Sequence, residues 1–230
     1  MYRFDIFAAQ LARVHEQALE FLRDTLELYW RCAFVVVMSD LSLQSLDDLN
    51  LDEASRPKAP PVPEATDTHR RQGKQLAFIH RHYLMEMAKI GAVLARIEAG
   101  DTPPEDLRRI VLSLDMAENF KAFGSLCGHE CQILKMHHDI ESMQMFPRIA
   151  AAGGGKFMDV VAKLKAEHEV VHELIIRLGD AADALQADPV EANFAKAAAT
   201  YRKLEEVVRS HFRYEETELA EAIGYYLGSI

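Results

Sequence analysis

Hydrophobic residues recur along most of the chain at steps of three and four positions, and this spacing predicts amphipathic helices. No segment alternates apolar and polar residues as a half-buried strand requires. Proline and glycine interrupt the pattern at Ala59–Pro63, Gly100–Pro104 and Gly153–Gly155. We therefore predict an all-α protein with helical regions over residues 1–38, 72–99, about 101–146, 156–185 and from 189 onward.

The four regions after residue 71 have short connections, which predicts an antiparallel up-down four-helix bundle over residues 71–230. Residues 1–38 predict an additional N-terminal helix, and the proline-rich stretch Ala59–Pro63 is interpreted as a stiff linker. Residues 1–70 are thus expected to form an N-terminal arm and linker. The apolar stripe of this arm is expected to be covered, either by the bundle or by a second copy in a homodimer through the N-terminal helix.

Each of the four bundle regions carries histidine or glutamate on the stripe that is otherwise apolar. Burying titratable groups without partners costs several kcal/mol each, which the marginal stability of a domain does not allow. A metal removes that cost because the lone pairs and carboxylates become its ligands. We predict a metal centre built from His80, His137, Glu141, His168, His172, His211 and Glu215.

Several neighbouring residues remain open as alternative ligands or as groups that support the ligands. His82 is an alternative to His80, and Glu216 is an alternative to Glu215. His138 adjoins His137 and is expected to support the ligands or to lie at the surface. Two aromatic residues, Tyr83 and Tyr214, fall near the level of the metal, where they line the open position or simply fill the core.

The number of ligands points to a pair of ions. Two octahedral ions need twelve donor positions: five histidines supply five, two bridging carboxylates four and a bridging oxide or hydroxide two. One position then stays open. Mixed imidazole and carboxylate ligands with an open position favour iron, so the interpretation is a non-haem diiron site suited to a diatomic ligand such as O2.

The same residues resemble a known family. The segment His137-His138-Asp139-Ile140-Glu141, followed by Phe146-Pro147, is similar to the metal helix of hemerythrin-like (HHE cation-binding) domains. Ile79-His80, His168 with His172, and His211 with Glu215 and Glu216 resemble the other metal helices of that family, in order. The resemblance covers about residues 72–225 and implies a diiron site in a four-helix bundle. The presence of both His168 and His172 is similar to the oxygen-binding members.

Two other metal sites compete for part of this pattern. His168-Glu169-Val170-Val171-His172 spells the zinc-protease motif HExxH, but that reading leaves the other predicted ligands unexplained. A ferritin-like oxidase needs Glu-x-x-His on two helices, and only Glu169 with His172 has this spacing. The diiron interpretation explains more of the chain.

Composition limits the partners and the compartment. Lys and Arg number 26 against 36 for Asp and Glu, a formal net charge of −10, which argues against nucleic-acid and anionic-membrane surfaces. We see no signal peptide and no membrane span, so we expect a cytoplasmic protein. The three cysteines, Cys32, Cys127 and Cys131, are interpreted as small buried residues in a reducing compartment.

Function stays open within the diiron interpretation. We expect a binding protein that captures O2 or a related diatomic such as NO for storage, delivery or sensing. A diiron oxidoreductase acting on peroxide, O2 or NO is the alternative, and it would need a proton donor beside the metal. A third role is a regulatory module in which the N-terminal arm couples iron or oxygen status to a partner.

Overall fold

The computed structural model describes residues 40–100 and 129–228. The predicted helix over residues 1–38, dimerisation through it, the start of the third helical region, and Cys32 and Cys127 lie outside the described residues. The contacts divide the chain into two units, Met1–Leu43 and Gln44–Ile230. Of the first unit, only a 3₁₀ turn at Leu41–Leu43 is described here.

All regular secondary structure within the described residues is helical. A 3₁₀ turn occupies Glu53–Ser55, and π-helical turns occupy Glu141–Met145 and Ile223–Leu227. The α-helices are α1 (Asp67–Gly73), α2 (Gln75–Glu98), α3 (His129–Ile140), α4 (Phe146–Ala152), α5 (Met158–Ala187) and α6 (Glu191–Ala222).

The long helices pack side by side. Helix α5 lies along α6, α6 contacts α2, and α3 contacts both α2 and α5, so these four helices surround a common interior. The predicted apolar stripes face that interior: Leu164, Leu178, Leu204 and Val208 are fully buried. The prediction of an all-helical bundle is therefore confirmed, because each helix buries the face that its sequence pattern marks as apolar.

The third helical region continues further than the sequence predicts. The sequence predicts an end at about Phe146, directly before Pro147, but the chain passes through the π turn at Glu141–Met145 into α4, which ends at Ala152 and is capped by Gly153. Proline has no N–H, and in the first turn of a helix that donor would have no intrahelical partner anyway. Pro147 is therefore tolerated directly after the π turn, and the prediction of a helix end at this position is wrong.

Residues 53–62, called the strap from here on, pack against α5 and α6. Within Ala59–Pro63 only Ala59 and Val62 carry a backbone N–H, because the other three residues are prolines. The N–H of Ala59 donates to Glu218 at 2.7 Å, and that of Val62 donates to Glu221 at 3.0 Å. The segment that the sequence predicts as a stiff linker is therefore bonded to α6 through both of its N–H groups. The contacts divide the chain at residue 43, and the predicted boundary near residue 70 stays a prediction.

Two expectations from composition can be compared with the described residues. Cys131 is buried as expected, at 3 % exposed, but it is disulfide-bonded, so the expectation of a free thiol is wrong for this residue. Between residues 40 and 100 and between 129 and 228, no helix combines the length and apolar character that crossing a membrane requires.

Two glycines allow α1 to cross the C-terminal end of α6 with backbone against backbone. A Cβ added to Gly73 would lie 1.7 Å from the carbonyl oxygen of Ala220, and one added to Gly224 would lie 1.7 Å from that of His69. We predict that Gly73→Ala lowers the free energy of unfolding by roughly 1–3 kcal/mol or more, because backbone atoms must move apart. Urea unfolding measures this difference.

Gly91→Ala is the matched control. Gly91 lies within α2, and a Cβ there would approach Glu205 no closer than 3.4 Å. Alanine favours a helix interior by about 1 kcal/mol over glycine, so Gly91→Ala should leave stability unchanged or raise it. Equal effects of the two substitutions would contradict the close crossing of α1 over α6.

Candidate metal centre

Five elements direct histidine and glutamate side chains to one place inside the bundle. They form two groups in which the potential ligand atoms lie within 4.8 Å of one another. Cluster A consists of His80 from α2, His137 from α3, Glu141 from the π turn and Glu215 from α6. Cluster B consists of His138 from α3, Glu141, His168 from α5 and His211 from α6.

Glu141 belongs to both clusters. One carboxylate oxygen, Oε1, lies 2.9 Å from Nε2 of His137, and the other, Oε2, lies 3.5 Å from Nε2 of His168. Glu141 follows His137 by four residues and His138 by three, and both spacings place side chains on the same face of a helix. A carboxylate in this position can bridge two cations that are held on either side of it.

Hydrogen bonds at Nδ1 orient the imidazoles. His80 donates from Nδ1 to Glu216 at 2.9 Å, and His211 donates from Nδ1 to Glu167 at 3.1 Å. Because a carboxylate only accepts, the proton sits on Nδ1 in both rings and leaves Nε2 with its lone pair. His168 has its Nδ1 2.8 Å from the hydroxyl of Ser142. A hydrogen bond at one ring nitrogen is the usual support for metal binding at the other.

The Nε2 atoms approach one another as ligands of a shared ion do. Nε2 of His80 lies 3.0 Å from Nε2 of His137, and Nε2 of His168 lies 3.1 Å from Nε2 of His211. Two nitrogens each about 2.1 Å from a metal and at a right angle to each other are about 3.0 Å apart. The spacing therefore fits neighbouring positions on one cation in each cluster.

Several buried polar atoms of the site have no hydrogen-bond partner. They are both ring nitrogens of His138, both carboxylate oxygens of Glu141 and of Glu215, and Nε2 of His172. A buried group without a partner costs roughly 1–3 kcal/mol, and more when it is charged. Cations bound in the two clusters would satisfy one ring nitrogen of His138 and the carboxylates of Glu141 and Glu215, so the cluster residues fit a metal.

Burial shifts the protonation of the site towards the forms that bind metal through nitrogen. It lowers the pKa of His168 to about 2, with the neighbouring His211 contributing in the same direction. Burial likewise lowers the pKa of His138 and His211, although Glu167 opposes the shift at His211. At neutral pH these rings are uncharged, with lone pairs available to a metal.

The two carboxyl groups respond in opposite directions. Burial alone would raise the pKa of Glu141, but contacts with His137 and His80 outweigh it and lower that pKa to about 2. Burial and the neighbouring charge of Glu141 raise the pKa of Glu215 well above its ordinary value. Without a cation, ionisation of Glu215 is therefore unfavourable, although a metal would need its carboxylate form.

Aromatic rings exclude water from the site. Phe212 is 1 % exposed and stacks on His80 with 3.7 Å between ring centroids. Phe146 is fully buried and stacks on His168 at 5.5 Å. The clusters themselves are almost dry, since the side chain of His137 is the most open of their members at 10 % exposed. Low local polarity strengthens any charge interaction in this space.

Most of the predicted ligands meet in the two clusters, but one does not. His80, His137, Glu141, His168, His211 and Glu215 all belong to a cluster, whereas His172 belongs to neither. The ring of His172 lies 5.6 Å from that of His138 and 6.3 Å from that of His168. It is therefore placed at the edge of cluster B, one helical turn beyond His168.

The positions of the side chains distinguish the alternative ligands that the sequence leaves open. His82 is exposed while His80 is fully buried. Glu216 is half-buried and accepts from His80, while Glu215 lies in cluster A. The hydroxyls of Tyr83 and Tyr214 donate to the backbone carbonyls of Ile133 and Pro57.

The positions of Glu169, from the HExxH motif, and of His138 rule out two of the alternatives that the sequence leaves open. Glu169 is exposed on α5, so it does not face the histidines as a protease base would. The surface alternative for His138 is wrong, because this residue is fully buried and its ring stacks on His168 at 4.1 Å. Sequence reasoning also did not identify Ser142, Glu167 and Arg56, which support the clusters through hydrogen bonds.

We predict that Glu141→Ala sharply lowers the amount of metal bound, because this side chain is common to the two clusters and metal binding is coupled to folding. Metal content after anaerobic loading and the melting temperature measure the effect. The matched control is Glu169→Ala, which changes an exposed glutamate of α5 and should keep the metal content of the wild type. Equal metal content in the two variants would contradict the assignment of the clusters.

We also predict that Glu215→Gln stabilises the metal-free protein at pH 7 while weakening metal binding. A carboxyl whose pKa is raised on folding contributes stability below its unfolded pKa of about 4.5 and loses it as pH rises through the folded value. The stability difference between the variant and the wild type should therefore grow with pH. Urea unfolding of the metal-free protein between pH 4.5 and 8 measures it.

The control for this prediction is Glu216→Gln, which changes the half-buried neighbour that accepts from His80. This substitution removes no carboxylate from within a cluster and should not stabilise the metal-free protein. A Glu215→Gln variant that is less stable than the wild type across this pH range would show that the buried carboxyl is satisfied without a metal.

A comparison with models of protein families supports the assignment of a metal centre. Comparisons with curated proteins and with solved structures found no match. The sequence model of the hemerythrin HHE cation binding domain matches residues 66–223, which is more than half of the chain and includes every member of clusters A and B. The chain therefore belongs to the hemerythrin HHE cation binding domain family.

Proposed function

We propose that the protein holds two iron ions, bridged by an oxide or hydroxide, in an antiparallel up-down bundle and binds O2 or a related diatomic such as NO at an open iron position. The role of such a site is oxygen storage, delivery or sensing. The observation that carries the proposal is the position of Glu141, which is shared by two clusters that each offer two or more imidazoles.

The donor set supports iron. The clusters together contain five imidazoles and two carboxylates, so His138 takes the place that the sequence assigns to His172 in the count. Mixed nitrogen and oxygen donors of this kind suit iron better than calcium or magnesium, which prefer oxygen alone. When bound, a ferrous pair supplies the electrons that a diatomic ligand takes up.

The coordination count leaves room for that ligand. Two octahedral ions need twelve positions, of which five imidazoles fill five, Glu141 fills two and a bridging oxide or hydroxide fills two. Glu215 fills one position if it stays on cluster A and two if it also bridges. One or two positions therefore remain for a diatomic.

The protein residues orient and shield this site. Glu216, Glu167 and Ser142 hold the rings of three histidines through Nδ1. Phe212 and Phe146 keep water away from the clusters. A dry site favours reversible binding because solvent protons and water cannot reach the ligand.

One observation favours binding over turnover. A diiron oxidoreductase needs a proton donor directed at the open position, and the sequence leaves open whether Tyr83 and Tyr214 line that position or fill the core. Both hydroxyls donate to backbone carbonyls instead. Among the described residues, neither tyrosine is oriented to donate a proton to a ligand of the clusters.

We predict that anaerobic loading with Fe(II) followed by O2 produces a stable absorption spectrum that disappears when O2 is removed and returns when it is added back. Iron content and ultraviolet-visible spectra over repeated cycles measure this behaviour. The Glu141→Ala variant, which lacks the shared carboxylate, should give no such spectrum.

Other outcomes favour the alternatives. Rapid oxidation that cannot be reversed, with a product formed from O2, peroxide or NO, would contradict reversible binding and support a diiron oxidoreductase. Tight binding of Zn(II) with hydrolysis of peptides would contradict the diiron interpretation altogether.

A further inference from the structure

The strap, residues 53–62, reaches the metal centre through the side chain of Arg56. Its Nε donates to Oε1 of Glu167 at 2.8 Å, and its Nη2 donates to Oε2 of the same residue at 3.1 Å. This is the two-point pairing in which a guanidinium matches the geometry of a carboxylate. The side chains of Arg56 and Glu167 are 9 % and 3 % exposed, so the pair is shielded from water.

Glu167 also contacts a residue of cluster B. Its Oε2 also accepts the Nδ1–H of His211, at 3.1 Å. The carboxylate is therefore held on one side by Arg56 and holds an imidazole of the cluster on the other. Removing the guanidinium would leave a buried carboxylate without a cation, which is strongly unfavourable. Glu167 would then turn towards water, and His211 would lose the bond that sets its ring orientation.

The position of Arg56 depends in turn on how the strap is docked. Its guanidinium lies over the ring of Tyr214, 4.7 Å from the centroid, and the hydroxyl of Tyr214 donates to Pro57 at 2.8 Å. Lys58 and the N–H of Ala59 both bind Glu218. These contacts fix the backbone on either side of the arginine, so the guanidinium is in place only when the strap lies on α5 and α6.

Arg56 precedes the part of the chain that matches the family, which begins at residue 66. The cluster residues all lie inside that match, while the residue that neutralises Glu167 lies outside it. The contact therefore reaches the metal centre from outside the matched region, on its N-terminal side.

We propose that Arg56 is a positioning residue for cluster B, and that docking of the strap and metal binding at this cluster favour each other. The proposal rests on the metal centre of the proposed function, but not on O2 as its ligand. Coupling of this kind is reciprocal: a docked strap raises the affinity for metal, and bound metal stabilises the docked strap to the same extent.

The first test is anaerobic titration of the full chain with Fe(II), following both ions. Substitution of residues that orient a histidine ligand typically weakens metal binding about 10- to 100-fold. We expect Arg56→Leu to weaken one of the two ions by this amount and the other less, because His211 belongs to cluster B alone. Arg56→Lys, which keeps the charge but loses the two-point pairing, should lie between Arg56→Leu and the wild type.

The matched control is Arg209→Leu. Arg209 is an exposed arginine of α6 that pairs with Glu205 one turn earlier, and Glu205 belongs to neither cluster. This variant should bind both ions as the wild type does. Circular dichroism confirms that each variant is folded before its titration is interpreted.

A rescue experiment separates positioning from general stability. Glutamine at position 167 carries no charge but still accepts the Nδ1–H of His211 through its amide oxygen. The double variant Arg56→Leu with Glu167→Gln should therefore recover much of the affinity lost in Arg56→Leu alone. A purely structural role of Arg56 predicts no recovery.

Hydrogen exchange tests the reciprocal effect. The amides of Ala59 and Val62 are bonded to carboxylates of α6 when the strap is docked. Their exchange should slow in the wild type when Fe(II) is added, and it should not slow in Arg56→Leu. Equal exchange with and without metal in the wild type, or wild-type affinity for both ions in a folded Arg56→Leu, would overturn the proposal.

The result also distinguishes the two proposals. A wild type that binds two ions but not O2 reversibly would overturn the proposed function and leave the role of Arg56 to the titration. Reversible O2 binding by the wild type, together with wild-type affinity of the Arg56→Leu variant for both ions, would overturn only the role of Arg56. A wild type that takes up no metal would overturn both.

Discussion

Buried lone pairs and carboxylates that lack hydrogen-bond partners are the arrangement on which this structure depends. Glu141 and Glu215 place four unpartnered oxygens inside the bundle, and His138 adds two unpartnered nitrogens. An apolar core in the same space would be more stable than these groups without a cation. The chain therefore carries an arrangement that makes sense energetically only with metal between the clusters, and its long helices supply the stability that tolerates it.

The local geometry of the third helical region explains how one element serves two clusters. His137 and His138 are adjacent in sequence and point in directions about 100° apart on a helix. Glu141 lies on the face shared by both, so its carboxylate falls between the clusters. The π turn that begins there also keeps Ser142 facing the site, where its hydroxyl lies 2.8 Å from His168. Such turns occur frequently at functional sites.

The periodicity of the sequence was sufficient to predict the bundle and most of the residues that meet in the clusters. A histidine or glutamate on the buried face of a helix is unusual, and the sequence pattern marks it directly. The periodicity did not predict His138 as a member of the site. The predicted stripe follows a single face of the helix, whereas the site uses the two faces on which His137 and His138 lie. The periodicity favoured His172 because that residue shares a helix face with His168. Which of the two residues belongs to a cluster depends on where along their length the helices come together, and the sequence pattern does not contain this information. Arg56 could not be found at all, because its contact with Glu167 joins residues 111 positions apart.

The most direct test of the central claim is X-ray absorption spectroscopy of the protein loaded anaerobically with Fe(II), combined with iron content per chain. A paired centre bridged by Glu141 should contain two iron ions per chain, each bound mainly by imidazole nitrogen with some carboxylate oxygen, and should give an iron–iron vector of about 3.5–4 Å. One ion per chain, or two ions without a metal–metal vector, would contradict a shared carboxylate at Glu141 and with it the paired centre.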